Sequence, residues 1–207
     1  MTRLSPICFL TPDGSDIATV GRMVGTALEA GVGWVQFRRK SGSRRRLYEE
    51  AMYLLGIARA HGAMFVVNDY ADIALAVGAD GLHVGQDDLP LECAKKIMGD
   101  KIVGLSTHSL EQALEAERLG ADYIGFGPIF HTSTKDAGVP RGAEAVREIK
   151  AAVSIPVIAI GGITAGNAAG VFAAGCDGVA VSSGIGSGDV RGNVAALLSR
   201  IGTVRKT

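Results

Sequence analysis

The 207 residues fit one domain and are marginal for two. Hydrophobic residues make up 47% and charged residues 20%, and 21 basic side chains cancel 21 acidic ones. This balance disfavours a dedicated nucleic-acid binder, which carries a basic excess, and a disordered chain, which lacks this much apolar material.

Short apolar runs alternate with longer amphipathic stretches along the whole chain. Strands are predicted at Ile7–Leu10, Trp34–Arg38, Met64–Val67, Gly81–Val84, Ile102–Ser106, Tyr123–Gly127, Val157–Ile160 and Gly178–Val181. Each is short, mostly apolar and bounded by Gly, Asp, Pro or Ser, the pattern of strands buried on both faces. Helical stretches lie between them. Leu110–Leu119 is one, with Leu110, Ala113, Leu114 and Ala116 assigned to its apolar side. Several helices are expected to stop at a glycine before the next strand, at Gly31, Gly78, Gly120 and Gly175. Eight such units without a composition break favour a closed (β/α)₈ TIM barrel, one domain over residues 1–207, rather than a doubly wound sheet. One connection is long: Ile129–Gly142, after the sixth strand, is rich in Thr, Lys, Asp, Gly and Pro, as lids and binding loops often are.

No apolar run reaches the ~18 residues of a membrane helix, so no membrane partner is expected. No cleavage pattern follows Met1–Leu10. Cys8, Cys93 and Cys176 are odd in number and widely spaced, indicating neither a disulfide framework nor a zinc site. A cytoplasmic protein with inert thiols is the expectation.

Barrels of this type keep their chemistry at the carboxyl ends of the strands. After the second strand, Gln36, Arg38 and Lys40 share parity and so point to one side, where they suit a bound anion. Arg44, Arg45 and Arg46 follow near a helix start and read as a solvated basic face. Asp69 follows the third strand; Asp87 and Asp88 follow the fourth. Carboxylates on neighbouring strands ~4.8 Å apart repel unless a cation lies between them. A divalent ion held by Asp69 with Asp87 or Asp88 and a substrate phosphate is the usual magnesium arrangement. Asp72 reads as a surface acid, His83 as a satisfied structural histidine, and His61 as a helix-end residue. Ser106 points into the mouth if the fifth strand continues that far, Ser109 or Thr107 is the candidate cap of the next helix, and His108 reads as a general acid, a polar contact or an ordinary hydrogen-bonded histidine. Thr132, Ser133, Thr134 and Lys135 suit oxyanion binding. Gly161-Gly162 and Ser182-Ser183-Gly184, after the last two strands, form a phosphate signal at the place where barrels often hold one. No nucleophile–base pair is evident. The pattern suits departure of a pyrophosphate, with a second phosphate anchoring the acceptor.

Six segments in this order resemble the thiamin phosphate synthase family over about Leu4 to Ile185. They are Gln36-Phe37-Arg38-Arg39-Lys40, Val67-Asn68-Asp69, Gly85-Gln86-Asp87-Asp88, Gly125-Phe126-Gly127-Pro128, Thr132-Ser133-Thr134-Lys135 and Ile160-Gly161-Gly162-Ile163. The resemblance implies a transferase that joins a hydroxymethylpyrimidine diphosphate to a hydroxyethylthiazole phosphate, giving thiamin phosphate and pyrophosphate. It implies that Gln36, Phe37, Arg38, Arg39, Lys40, Asn68, Ser106 and Lys135 hold the pyrimidine diphosphate. Thr132, Ser133, Thr134, Gly162, Ser182 and Ser183 would receive the thiazole phosphate. Asp69 and Asp88 would bind one Mg2+, and Arg38, Lys40 and Lys135 would promote diphosphate departure. His131, Ser182 and Gly184 depart from the residues usual in the family. The competing readings are a thiazole tautomerase on the same barrel, a generic sugar-phosphate barrel enzyme, a phosphate sensor, and a nucleic-acid binder using Arg38 to Arg46. Paired acids and an intact Thr-x-Thr-Lys disfavour the first, and net neutrality the last. Small-molecule substrates are thus the expected partners, and a homo-oligomer stays open.

Overall fold

Eight short parallel strands pair each with the next and the last with the first, closing a barrel. The structure, a computed structural model, describes residues 4–132 and 139–204, with side chains described as far as residue 201. The strands are β1 (Ile7–Leu10), β2 (Trp34–Phe37), β3 (Met64–Asn68), β4 (Gly81–Val84), β5 (Ile102–Thr107), β6 (Tyr123–Phe126), β7 (Val157–Ile160) and β8 (Gly178–Val181). The predicted β1, β4, β7 and β8 have these same bounds; the other four differ by one residue at the carboxyl end. Between and after the strands run α1 (Ile17–Glu29), α2 (Arg44–Ala60), α3 (Ala71–Val77), α4 (Leu91–Met98), α5 (Leu110–Arg118), α6 (Gly142–Ala152), α7 (Ala168–Ala173), the four-residue α8 (Ser183–Gly186) and α9 (Val190–Val204). The architecture is a single-domain (β/α)₈ barrel. Among the described residues, no helix is long and apolar enough to cross a membrane.

Local signals explain the helix ends. Asp16, Ser43 and Ser109 each accept a first-turn amide, from Thr19, Arg46 and Gln112 respectively. At the other ends Gly31, Gly78, Gly120 and Gly175 all have positive φ, where the glycine stop signals were expected. One assignment on α5 needs correction. Ala113 and Ala116 are buried and Leu110 packs against the core, but Leu114 is 44% exposed. At 100° per residue, Leu114 lies about 130° from the centre of the Ala113–Ala116 face and so turns to solvent.

Two apolar compartments hold the fold together. The larger lies between the strands and the helices. The smaller fills the barrel itself and consists of Cys8, Trp34, Val66, Tyr123, Ile158 and Ala180. In this inner plug Trp34 and Tyr123 meet edge to face at 5.4 Å, and the indole N–H donates to Ser5 O at 3.1 Å. Gly104 on β5 makes room for it: a Cβ there would lie 2.2 Å from Tyr123 Cζ. The plug closes the bottom of the barrel and leaves the top to polar residues.

A repeated aspartate sets the register at that bottom end. Asp80, Asp122 and Asp177 directly precede or lie just before β4, β6 and β8. Their carboxylates accept from the amides of Phe65, Val103 and Val157 at 2.7–2.8 Å, near the starts of β3, β5 and β7. Their own amides donate back to the carbonyls of the same residues. Register matters because a one-residue slip turns every inward side chain outward.

Candidate active site

The top of the barrel encloses a cavity of about 530 Å³, bounded by residues from all eight strand ends. Strand parity supplies its walls. On β2 the side chain of Gln36 faces the cavity, while Phe37 turns into the outer core and stacks on Phe65 at 6.4 Å. Arg38 and Lys40, in step with Gln36, line the cavity. Arg38 is held by its backbone: its N–H donates to Thr11 Oγ1 at 2.9 Å, and that hydroxyl donates to Arg38 O at 3.3 Å.

Arg39 falls out of step and lies elsewhere. Its Nε donates to Glu50 Oε2 at 2.8 Å and its Nη1 to Ser15 O at 3.0 Å. Glu50, itself buried, also accepts from Arg46 Nε at 2.8 Å. Of the residues expected to hold the pyrimidine diphosphate, Phe37 and Arg39 do not line the cavity with their side chains: one packs in the core, and the other is committed to a buried ion pair behind the β2 end. Arg44 stacks over the Tyr70 ring at 4.5 Å and pairs with Asp72 at 3.2 Å, so both stay on the solvated face.

On the adjoining strands the two acids converge. Asp69 follows β3 with φ of 66°, a left-handed conformation that Asp tolerates better than most residues. Its amide donates to His83 O at 2.8 Å, and Tyr70 N–H closes a tight turn onto Asn68 O at 2.8 Å. Asp88 is steered by the Gly85 amide, which donates to its Oδ2 at 2.7 Å. Burial chiefly, and then the neighbouring Asp88 carboxylate, push the Asp69 carboxyl from 3.8 up to about 6. Arg38 and Asn68 pull it the other way. Two acids in this relation have the chemistry that hard divalent ions take as ligands alongside waters and substrate oxygens. Asp87 lines the cavity too. Among the described residues no cluster of three or more His, Cys, Asp or Glu offers an all-protein metal cage.

The floor is a hydrogen-bonded column. Tyr123 Oη lies 3.0 Å from His83 Nδ1, and His83 Nε2 lies 2.9 Å from Ser106 Oγ, which lines the cavity. His83 is thus satisfied, as its sequence position suggested, and it also lines the cavity. Beside it, Gln36 Nε2 donates to Asn68 Oδ1 at 3.0 Å. His108 Nδ1 donates to Gly127 O at 2.6 Å, which fixes the orientation of the ring.

Opposite the acids, Gly161 and Gly162 follow β7 with φ of 99° and 62°. A Cβ on Gly162 would lie 2.4 Å from His131 O, so only glycine fits this turn. Asn167 Nδ2 braces it by donating to Gly162 O at 2.9 Å. Thr132, Ser182, Ser183 and Gly184 line the same end. Ser133, Thr134 and Lys135 lie outside the described residues.

The structure thus brings Gln36, Arg38, Lys40, Asn68, Asp69, Asp88, Ser106, Thr132, Gly162, Ser182 and Ser183 to one cavity. It adds Gln86, whose Nε2 donates to Ser106 O at 2.6 Å, and the wall residues Leu10 and Ile163. Gln86 sits inside a motif read for its acids, so nothing in the sequence distinguished it.

Comparison with known proteins agrees with this architecture. A family model described as thiamine monophosphate synthase matches residues 7–185. A thiamine-phosphate synthase of Chloroflexus aurantiacus is 49% identical over 168 residues, 81% of this chain and 78% of the relative. One from Methanosarcina barkeri is 44% identical over 208 residues, 98% of this chain and 94% of the relative. The solved structure of a thiamine phosphate pyrophosphorylase from Pyrococcus furiosus superposes with a TM-score of 0.86 at 40% identity, covering 96% of each chain. The isomerase alternative draws no support from these relatives. Matched over most of its length by that family model and by relatives at 40–49% identity, the chain belongs to the thiamine-phosphate synthase family, transferases that release pyrophosphate.

Proposed function

We propose that this chain joins a 4-amino-5-hydroxymethylpyrimidine diphosphate to a hydroxyethylthiazole phosphate, with one Mg2+ held by Asp69 and Asp88. The observation that carries this reading is the polarity of the cavity. Acids and cations share one end, and a glycine turn with hydroxyls forms the other. The first end suits a diphosphate with its metal, the second a monophosphate without one.

The reaction breaks the bond between the pyrimidine methylene carbon and the diphosphate oxygen, and the electron pair leaves with that oxygen. The aminopyrimidine ring donates electron density to the methylene, and the thiazole nitrogen lone pair forms the new C–N bond. That nitrogen has no proton to lose, so no general base is needed. Arg38 and Lys40 are positioned to bind the departing charge, and Lys135 is assigned the same task by the family resemblance. Bound magnesium would supply further charge neutralisation to the diphosphate. Gln36, Asn68 and Ser106 form a polar floor against which the pyrimidine is held. The Gly162 turn with Thr132, Ser182 and Ser183 holds the thiazole phosphate and so orients the nucleophile.

The test is pyrophosphate release by purified protein given both substrates, with magnesium or with a chelator. Release that needs both substrates and the metal, matched by thiamin phosphate formation, supports the reading. No release by folded protein with magnesium supplied refutes it.

A further inference from the structure

The column beneath the cavity has a direction. The Tyr123 ring is 1% exposed, and its hydroxyl has His83 Nδ1 as its one hydrogen-bond partner among the described residues. A phenol proton with no acceptor, buried beside Trp34, would forfeit its solvation without return. The proton is satisfied only if the hydroxyl donates to Nδ1. Burial also keeps this phenol protonated, well above its ordinary range. The neutral imidazole then carries its hydrogen on Nε2 and donates it to Ser106 Oγ at 2.9 Å. With one lone pair so occupied, the Ser106 hydroxyl is left to turn its own hydrogen toward the cavity.

We propose that Tyr123 and His83 form a relay that fixes Ser106 as a hydrogen-bond donor to an unprotonated ring nitrogen of the pyrimidine, which makes both of them positioning residues for the reaction. The neighbouring pair complements it. Gln36 donates through Nε2 to Asn68, so its Oε1 is presented as an acceptor. A donor at Ser106 and an acceptor at Gln36 match the ring nitrogen and adjacent amino group of a 4-aminopyrimidine. An oxo group at that place, with a protonated ring nitrogen beside it, has the reverse pattern and is rejected. The relay therefore selects the aminopyrimidine class at the level of binding.

The inference rests on the synthase reading, but its first test does not. In ¹⁵N-histidine-labelled wild-type protein at pH 8, the His83 ring is expected to be protonated at Nε2 and bare at Nδ1. A ring protonated at Nδ1 overturns the proposal. In steady-state assays Tyr123→Phe keeps the ring against Trp34 and is expected to raise KM for the pyrimidine diphosphate about tenfold, with kcat within about threefold. Ser106→Ala is expected to do the same, and the double variant to be no worse than Ser106→Ala alone. His83→Gln, whose amide both accepts and donates, should recover most of the binding lost in His83→Leu. Additive losses in the double variant, or a fall confined to kcat, overturn the proposal. If wild-type protein releases no pyrophosphate, the synthase reading fails instead, and the nitrogen spectrum still decides the direction of the relay.

Discussion

Asp69→Asn separates the cost of the acid pair from its use. The carboxyl titrates at about 6 in the fold against 3.8 for the free group, because it is desolvated and faces Asp88. A raised acid pKa means that the folded state holds its proton more tightly than the unfolded chain does. The group therefore favours folding below pH 3.8, and this contribution is lost as the pH rises through 6. That difference corresponds to about 3 kcal/mol. The residue is only partly buried, and solvent screening reduces the cost to about 1–1.5 kcal/mol. Asn is nearly isosteric and also tolerates the positive φ at this position, so the substitution removes the charge with little backbone penalty. In chelator at pH 8 the variant should melt about 2–5 °C above wild type. At pH 4.5 that advantage should largely vanish, because the wild-type carboxyl is then protonated. Added magnesium should raise the wild-type melting temperature through binding to the native state and leave the variant unmoved. Turnover should fall at least 100-fold in the variant. A variant less stable than wild type in chelator at pH 8 would refute the claim that these acids are held together at a cost.

Three further outcomes follow from the geometry. Arg39→Ala should cost about 2–3 kcal/mol in urea denaturation, reduced from the usual loss for a buried pair because Glu50 keeps Arg46. Its KM values should stay within about twofold, and a tenfold rise for the pyrimidine diphosphate would restore Arg39 to the binding site. Gly162→Ala puts a Cβ against the His131 carbonyl at positive φ, so KM for the thiazole phosphate should rise at least tenfold while pyrimidine affinity holds. Arg38→Ala should lower kcat for pyrophosphate release about 100-fold, with thiazole phosphate affinity unchanged; equal turnover would remove it from the departing charge.

What could be read in the sequence depended on whether the relevant signal was local. Period-two alternation after Trp34 put Gln36, Arg38 and Lys40 on one side, and the structure keeps that order. Phe37 and Arg39 belong to the same family motif, yet the same alternation turns both side chains away from the cavity. A contiguous motif records which residues travel together in sequence; parity determines which of them meet a ligand. The column under Ser106 was hidden for a different reason. Its members come from β4, β5 and β6, and they meet only because His83 lies opposite Gly104 and Ser106 lies opposite Gly125. Those two glycines make the room. A Cβ on Gly104 would strike the Tyr123 ring, and one on Gly125 would press on His83 Cε1 at 3.1 Å. In the linear sequence a glycine inside a strand reads as a weak position or a place where a ligand approaches. Here both leave space for the rings of neighbouring strands, so that a buried phenol can reach a histidine and the histidine a serine at the cavity floor. Inter-strand register, which Asp122 braces between β5 and β6 at the far end of the barrel, is what brings these residues together.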